Sequence, residues 1–133
     1  MATVKPLTQA QHKRQIDRYA KELPHYEKYA AVLKAAFRRA CEATMPQAVV
    51  QTRAKTLSSF AEKCVRRRDR YPDPVKDMTD LCGARITVQT LRQVAAVAEF
   101  LRSNFHVCEE DEKGLLLGED RFGYRDLHFI VQL

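Results

Sequence analysis

Ala48-Val-Val-Gln-Thr-Arg53-Ala-Lys55-Thr-Leu-Ser-Ser59-Phe-Ala-Glu-Lys63-Cys-Val65 passes from one backbone period to another within a few residues. Residues 48–53 are short and rich in β-branched side chains, which predicts a strand delivering Arg53 to its C-terminal end. From about Thr56 the period changes. Leu57, Phe60, Ala61, Cys64 and Val65 recur at helical spacing and form an apolar stripe. Ser59 with Glu62 reads as a capping box, with Thr56 or Ser58 as the alternative cap. A strand that runs straight into a helix is the unit of a sheet with helices packed on it, so this stretch decides the fold class. It also carries a pattern of charge. Ser59 and Lys63 lie one turn apart on one helix face, Lys55 stands just ahead of the helix N-terminus, and the unpaired N–H groups there attract an anion. Taken alone, the same cations read more readily as a solvated helix face.

Upstream, residues 8–23 are polar and helix-prone, and Pro24 is placed to open a second helix at its first turn. Tyr29, Val32, Leu33, Ala36, Phe37, Ala40 and Cys41 would be the buried stripe of that second helix, with Lys34, Arg38 and Arg39 outside it. Downstream, the basic run at residues 66–70 ends the helix begun near Thr56, where cations complement its dipole, and residues 71–74 read as a loop. Residues 80–88 predict a second strand with Ala84, Ile86 and Val88 on one face and Arg85 and Thr87 on the other. Thr90 with Gln93 is a capping box for a helix carrying Leu91, Val94, Val97, Ala98 and Leu101, closed by Asn104. A third strand is expected over 105–110, a hairpin arm or ordered turn at 115–117, and a last strand over 127–133, where Leu127, Phe129, Val131 and Leu133 alternate with His128, Ile130 and Gln132. The order α-α-β-α-β-α-β-β predicts an α+β fold, a mixed sheet with flanking helices, in one domain over 1–133.

At 133 residues the chain has the length of a single domain with a real core. Its net charge of +6 points to an anionic partner without choosing among nucleotide, nucleic acid and membrane surface. The four cysteines, Cys41, Cys64, Cys82 and Cys108, form no C-x-x-C pair and signal neither a zinc site nor a disulfide framework. No leader-like apolar segment opens the chain, and no stretch is long enough to span a bilayer, so a cytoplasmic protein without membrane contact is expected.

Two further constellations carry chemistry. Asp80, five residues before Arg85 at the start of a strand, places a carboxylate near cations. That suits a magnesium ion bridging nucleotide phosphates, while a guanidinium stacks on a base. A structural Asp–Arg ion pair is the alternative. In Phe122-Gly123-Tyr124-Arg125-Asp126-Leu127-His128, Gly123 permits a tight turn before an aromatic that offers its ring as a stacking platform, with donors from Arg121, Arg125 and His128. Packing by Tyr124 and a sheet hydrogen bond by His128 are the plainer readings. His12, His25 and His106 show no spacing suited to a metal.

Arg53-x-Lys55-x-x-x-Ser59-x-x-x-Lys63, then Asp80-Leu-Cys-Gly83-x-Arg85, then Gly123-Tyr124-x-x-x-His128, in this order and at these intervals, resemble the synthetase domain of the RelA/SpoT family. The resemblance covers about 53–133, and the N-terminal helices, about 1–46, match only in kind. It implies a nucleotidyltransferase-like mixed sheet over 47–133. It also implies the activity of a GTP pyrophosphokinase of the stringent response, which moves pyrophosphate from ATP to the ribose 3′-hydroxyl of GDP or GTP to give (p)ppGpp. Carried over by residue, Arg53 and Arg85 would sandwich the adenine, Lys55, Ser59 and Lys63 would hold the ATP phosphates, and Asp80 would bind Mg2+. Tyr124 would stack on the acceptor guanine, with Arg121, Arg125 and His128 close to the acceptor. Asp80, Lys63 and His128 would carry the chemistry.

The chain departs from the family pattern at two places. Asp126 stands where the family has serine, and a carboxylate there alters the acceptor site. The family continues into a strand with a Glu-x-Gln-x-Arg pattern that is not found in this sequence. On that ground the chain is expected to be a piece of a longer protein or a degenerate synthetase, turning over poorly or not at all. Two alternatives stand beside the synthetase. One is a toxic relative that uses adenosine nucleotides or the tRNA 3′ end as acceptor, suggested by the basic run at 66–70 and by Asp126. The other is a noncatalytic nucleotide- or RNA-binding module, disfavoured because the basic segment lacks interleaved aromatics. The sequence leaves the oligomeric state open, a homo-oligomer included.

Overall fold

A computed structural model describes residues 5–112 and 127–132. Arg121, Gly123, Tyr124, Arg125, Asp126 and the expected turn at 115–117 lie outside the described residues. The contacts divide the chain into two compact units, Met1–Thr44 with Val49–Ile86, and Met45–Ala48 with Thr87–Leu133.

The first unit opens with one helix, α1, over Gln9–Glu42. Thr8 caps it in a reciprocal box: the Gln11 N–H donates to Thr8 Oγ1 at 3.1 Å and the Thr8 N–H donates to Gln11 Oε1 at 3.0 Å. The two helices expected on either side of Pro24 are therefore a single element, with Pro24 inside it. The reason is a continuous inward stripe of His12, Ile16, Tyr19, Leu23, Tyr26, Ala30, Leu33, Phe37 and Cys41, all buried or half-buried at steps of three and four. Packing along that stripe outweighs the helix-interior cost of a proline. The stripe also lies rotated from the expected one: Ala36 and Ala40 face outward and Val32 is 66% exposed. Pro24→Ala restores an N–H that reaches the carbonyl four residues back. It is expected to stabilise the chain by about 1–3 kcal/mol, read as a higher midpoint in urea or thermal unfolding.

Strand β1, Val49–Ala54, pairs with β2, Cys82–Thr87, in a two-stranded sheet. Just past their ends the Lys55 N–H donates to the Leu81 carbonyl at 2.8 Å, so the end of β1 meets the start of β2 and the pair is antiparallel. The Thr52 hydroxyl donates to the Ala30 carbonyl at 2.7 Å and ties β1 to α1. Between the strands run α2, Leu57–Arg66, and the one-turn α3, Pro74–Asp77. Pro74 was expected in a loop, yet it stands in the first turn of α3, where its fixed φ and missing N–H cost nothing. The core of this unit gathers Tyr19, Phe60, Cys64, Met78 and Leu81, with Leu7, Leu23, Tyr26, Tyr71 and Val75 packed against them. It sits directly beneath the junction of β1 and α2.

In the second unit α4 spans Leu91–Asn104, capped by the expected Thr90–Gln93 box. Strands β3, His106–Glu112, and β4, Leu127–Gln132, form an antiparallel ladder in which Asp111 faces His128 and Glu110 faces Phe129. Between Val107 and Glu109 the register shifts, β3 using one residue more than β4. Arg102, in the last turn of α4, donates to both carboxylate oxygens of Glu110 at 3.1 and 2.6 Å and clamps the helix to β3.

The fold is thus α+β, as expected. Among the described residues its strands pair as two separate two-stranded ladders, β1–β2 and β3–β4.

Candidate functional site

Lys55, Lys63 and Asp80 converge in the first unit, each for a local reason. Lys55 is the residue between β1 and the cap of α2, and its backbone is fixed on both sides. Its N–H is bonded to the Leu81 carbonyl, and its own carbonyl accepts from the Tyr19 hydroxyl at 2.6 Å. Lys63 stands on the second turn of α2. Asp80 immediately precedes Leu81, so the backbone bond that joins Lys55 to Leu81 also brings Asp80 alongside.

Both ammonium groups reach one carboxylate oxygen. Lys55 Nζ is 2.9 Å and Lys63 Nζ 3.0 Å from Asp80 Oδ2. The Lys55 side chain is 8% exposed and that of Lys63 18%, whereas Asp80 is 39% exposed. Asp80 Oδ1 is itself buried and has no hydrogen-bond partner among the described residues. Burial pushes the Asp80 carboxyl up, but the hydrogen bonds and charges of Lys55 and Lys63 outweigh it and hold the group below the usual carboxylate range. The cluster carries one positive charge in excess, with half of its only carboxylate unused. Lys63 also lies over the Tyr71 ring, 5.4 Å from its centroid, a cation–π contact made in addition to its ion pair.

Ser59 is exposed in the first turn of α2. Of the caps left open by the sequence, Thr56 is the one used: the Ser59 N–H donates to Thr56 Oγ1 at 3.2 Å, and the Thr56 hydroxyl donates to Ser59 Oγ at 2.9 Å. Glu62 instead accepts from Arg66 Nε at 2.7 Å. Thr56→Ala is expected to cost about 1 kcal/mol, seen as a lower urea midpoint with an unchanged slope.

Arg53 and Arg85 are both exposed. Arg53 shares the open face of β1 with Val49 and Gln51, and Arg85 lies on β2 beside exposed Thr87. Among the described residues neither makes a hydrogen bond or ion pair. The alternative reading of a structural Asp80–Arg85 pair is therefore not met, and Asp80 turns to the lysines. His128 lies on β4 in the second unit, where it lines a groove of about 510 Å³ together with Leu91, Val94, Arg102 and Phe129.

The family model for the region found in RelA/SpoT proteins matches residues 52–133. The chain belongs to the RelA/SpoT family. That match takes in Arg53, Lys55, Ser59, Lys63, Asp80, Arg85, Tyr124 and His128, and places the chain in a family of (p)ppGpp synthetases, which are pyrophosphokinases. No curated protein and no solved structure matches it. Among the described residues no helix is long and apolar enough to cross a membrane.

Sequence reasoning within the RelA/SpoT resemblance missed Tyr19, Tyr71 and the Leu81 carbonyl. The one available signal for Tyr19 was the stripe from His12 to Ala30 running unbroken through Pro24. Tyr71 and Leu81 carry no sequence signal, since a ring and a backbone group acquire their roles only from what packs beside them.

Proposed function

We propose that the Lys55–Lys63–Asp80 cluster receives the phosphates of ATP for transfer of its pyrophosphate to the 3′-hydroxyl of GDP or GTP, giving (p)ppGpp. The observation that supports this most is the half-used carboxylate. A buried and a half-buried lysine converge on one oxygen of Asp80, and the other oxygen is buried and has no partner among the described residues. A structural ion pair does not need a second lysine and does not leave an acceptor unsatisfied. A phosphate chain entering the cluster would take over the lysines and free Asp80 for a cation.

The residues fit Mg2+ in that role. This ion takes oxygen ligands, keeps several waters, and is commonly held by one or two carboxylates together with substrate phosphates. Asp80 would supply its protein ligand, and no group of three or more potential metal ligands gathers among the described residues. Bound there, Mg2+ would neutralise charge on the transferred group and on the departing nucleotide. The chain's own residues do the remainder. Lys55 and Lys63 hold and neutralise phosphate oxygens, Ser59 and the first turn of α2 offer donors beside them, and Arg53 and Arg85, exposed and unpaired among the described residues, flank the adenine. By the family resemblance, Tyr124, Arg121, Arg125 and His128 would receive the acceptor nucleotide. Such a reaction belongs in the cytoplasm, where both nucleotides are found.

The test is incubation of the chain with Mg2+ and ATP labelled in its β- and γ-phosphates, with GDP, ADP and deacylated tRNA as competing acceptors. Label appearing as a 3′-pyrophosphate on GDP is the expected result, at whatever rate the chain supports. Label on ADP or tRNA would assign the acceptor differently, and failure to bind Mg·ATP saturably would overturn the reading.

A further inference from the structure

We infer that Tyr19, on the N-terminal helix and outside the region matched by the family, is a positioning residue for Lys55, so that α1 forms part of the nucleotide site. The inference rests on the reading of Lys55 as a phosphate ligand.

Tyr19 is completely buried, and its ring stacks on Phe60 with centroids 4.3 Å apart. Its hydroxyl spans 36 positions of sequence to donate to the Lys55 carbonyl at 2.6 Å. That carbonyl has left the β1–β2 ladder, because Lys55 is the turning point from strand to helix. Without Tyr19 it would be a buried acceptor with no partner, and the turn could relax. The three bonds made by Lys55 come from three different places: the Leu81 carbonyl holds its N–H, Tyr19 holds its carbonyl, and Asp80 holds its ammonium. Removing the middle bond frees the backbone from which the side chain is aimed. A cation whose function is to meet a phosphate oxygen within hydrogen-bond reach is sensitive to a displacement of that kind.

A second bond of the same type provides the control. Thr52 donates its hydroxyl to the Ala30 carbonyl, joining the same helix to the same strand away from the cluster. Tyr19→Phe and Thr52→Val each delete one hydroxyl and keep most of the side chain's volume, and both are expected to fold. Two readouts separate a positioning role from a structural one. The first is acetylation of Lys55 by acetic anhydride, followed by mass spectrometry in the absence of nucleotide. The second is the Kd for Mg·ATP.

Tyr19→Phe is expected to label several-fold faster at Lys55 and to bind Mg·ATP about tenfold more weakly, the loss of one well-made hydrogen bond, while Thr52→Val changes either by less than about twofold. Equal labelling of Lys55 in wild type and Tyr19→Phe would overturn the positioning role, as would equal losses of affinity in the two variants. Wild-type chain that binds no Mg·ATP, with Lys55 still deprotected only in Tyr19→Phe, would instead overturn the nucleotide reading beneath the inference.

Discussion

Asp80→Asn should abolish whatever pyrophosphate transfer the chain supports and weaken the fold at the same time. The substitution keeps the shape of the side chain and removes its charge. Lys55 and Lys63, which both contact Oδ2, then face each other without an anion between them, and Lys55 is almost fully buried. Breaking a fully buried pair costs about 3–5 kcal/mol; with Asp80 39% exposed, solvent screening lowers the expectation to about 2 kcal/mol. The two losses have different pH signatures. In the folded chain the two lysines hold the Asp80 carboxyl below its usual range. Its contribution to stability is therefore complete above the ordinary carboxylate pKa and is lost as pH falls through the lower folded value. Wild type should show that acid limb in a series of urea midpoints, and Asp80→Asn should flatten it. A variant with wild-type transfer, or with an unchanged acid limb, would remove Asp80 from the centre of the site.

Which features were legible in advance follows from the range of the interactions that make them. The strand at Val49–Ala54 and the cap at Thr90 depend on neighbours within a few residues, so period and cap chemistry predicted them, whereas at α2 the Ser59–Glu62 box gives way to the alternative cap, Thr56. The single helix through Pro24 was misread because a local rule, proline at a helix start, was given precedence over a stripe visible only across more than twenty residues. The same error rotated the stripe: Leu33, Phe37 and Cys41 point inward as expected, but Val32, Ala36 and Ala40 satisfy helical spacing and face outward, while Tyr19 and Ala30 are the further residues with a core to enter.

At the site, Lys55, Lys63 and Asp80 were named from their spacing, and the fold brings them together. Their mutual bonding was not foreseen, since it depends on an antiparallel pairing of β1 with β2 that puts Leu81 beside Lys55. Tyr19 acts on a backbone carbonyl far along the chain, a relation that no motif records.

Phe60→Ala is expected to be the most destabilising single change in the first unit, at about 3–5 kcal/mol. Its side chain is fully buried in the cluster with Cys64, Met78 and Leu81, and truncation leaves a cavity that α2, held at its N-terminus by Thr56, cannot close by sliding. The ring also lies against Tyr19 and keeps that hydroxyl aimed at Lys55. Stability and site geometry therefore fail together, and a partial replacement separates them. Phe60→Leu restores most of the volume but not the flat face on which Tyr19 stacks, an arrangement worth about 0.5–1.5 kcal/mol beyond area burial. It should recover much of the lost urea midpoint while Lys55 remains more reactive to acetylation than in wild type. Full recovery of both would mean that Phe60 acts by volume alone. Recovery of neither would mean that the core beneath β1 and α2 tolerates no change of shape, as expected of an interior packed to the density of an organic crystal.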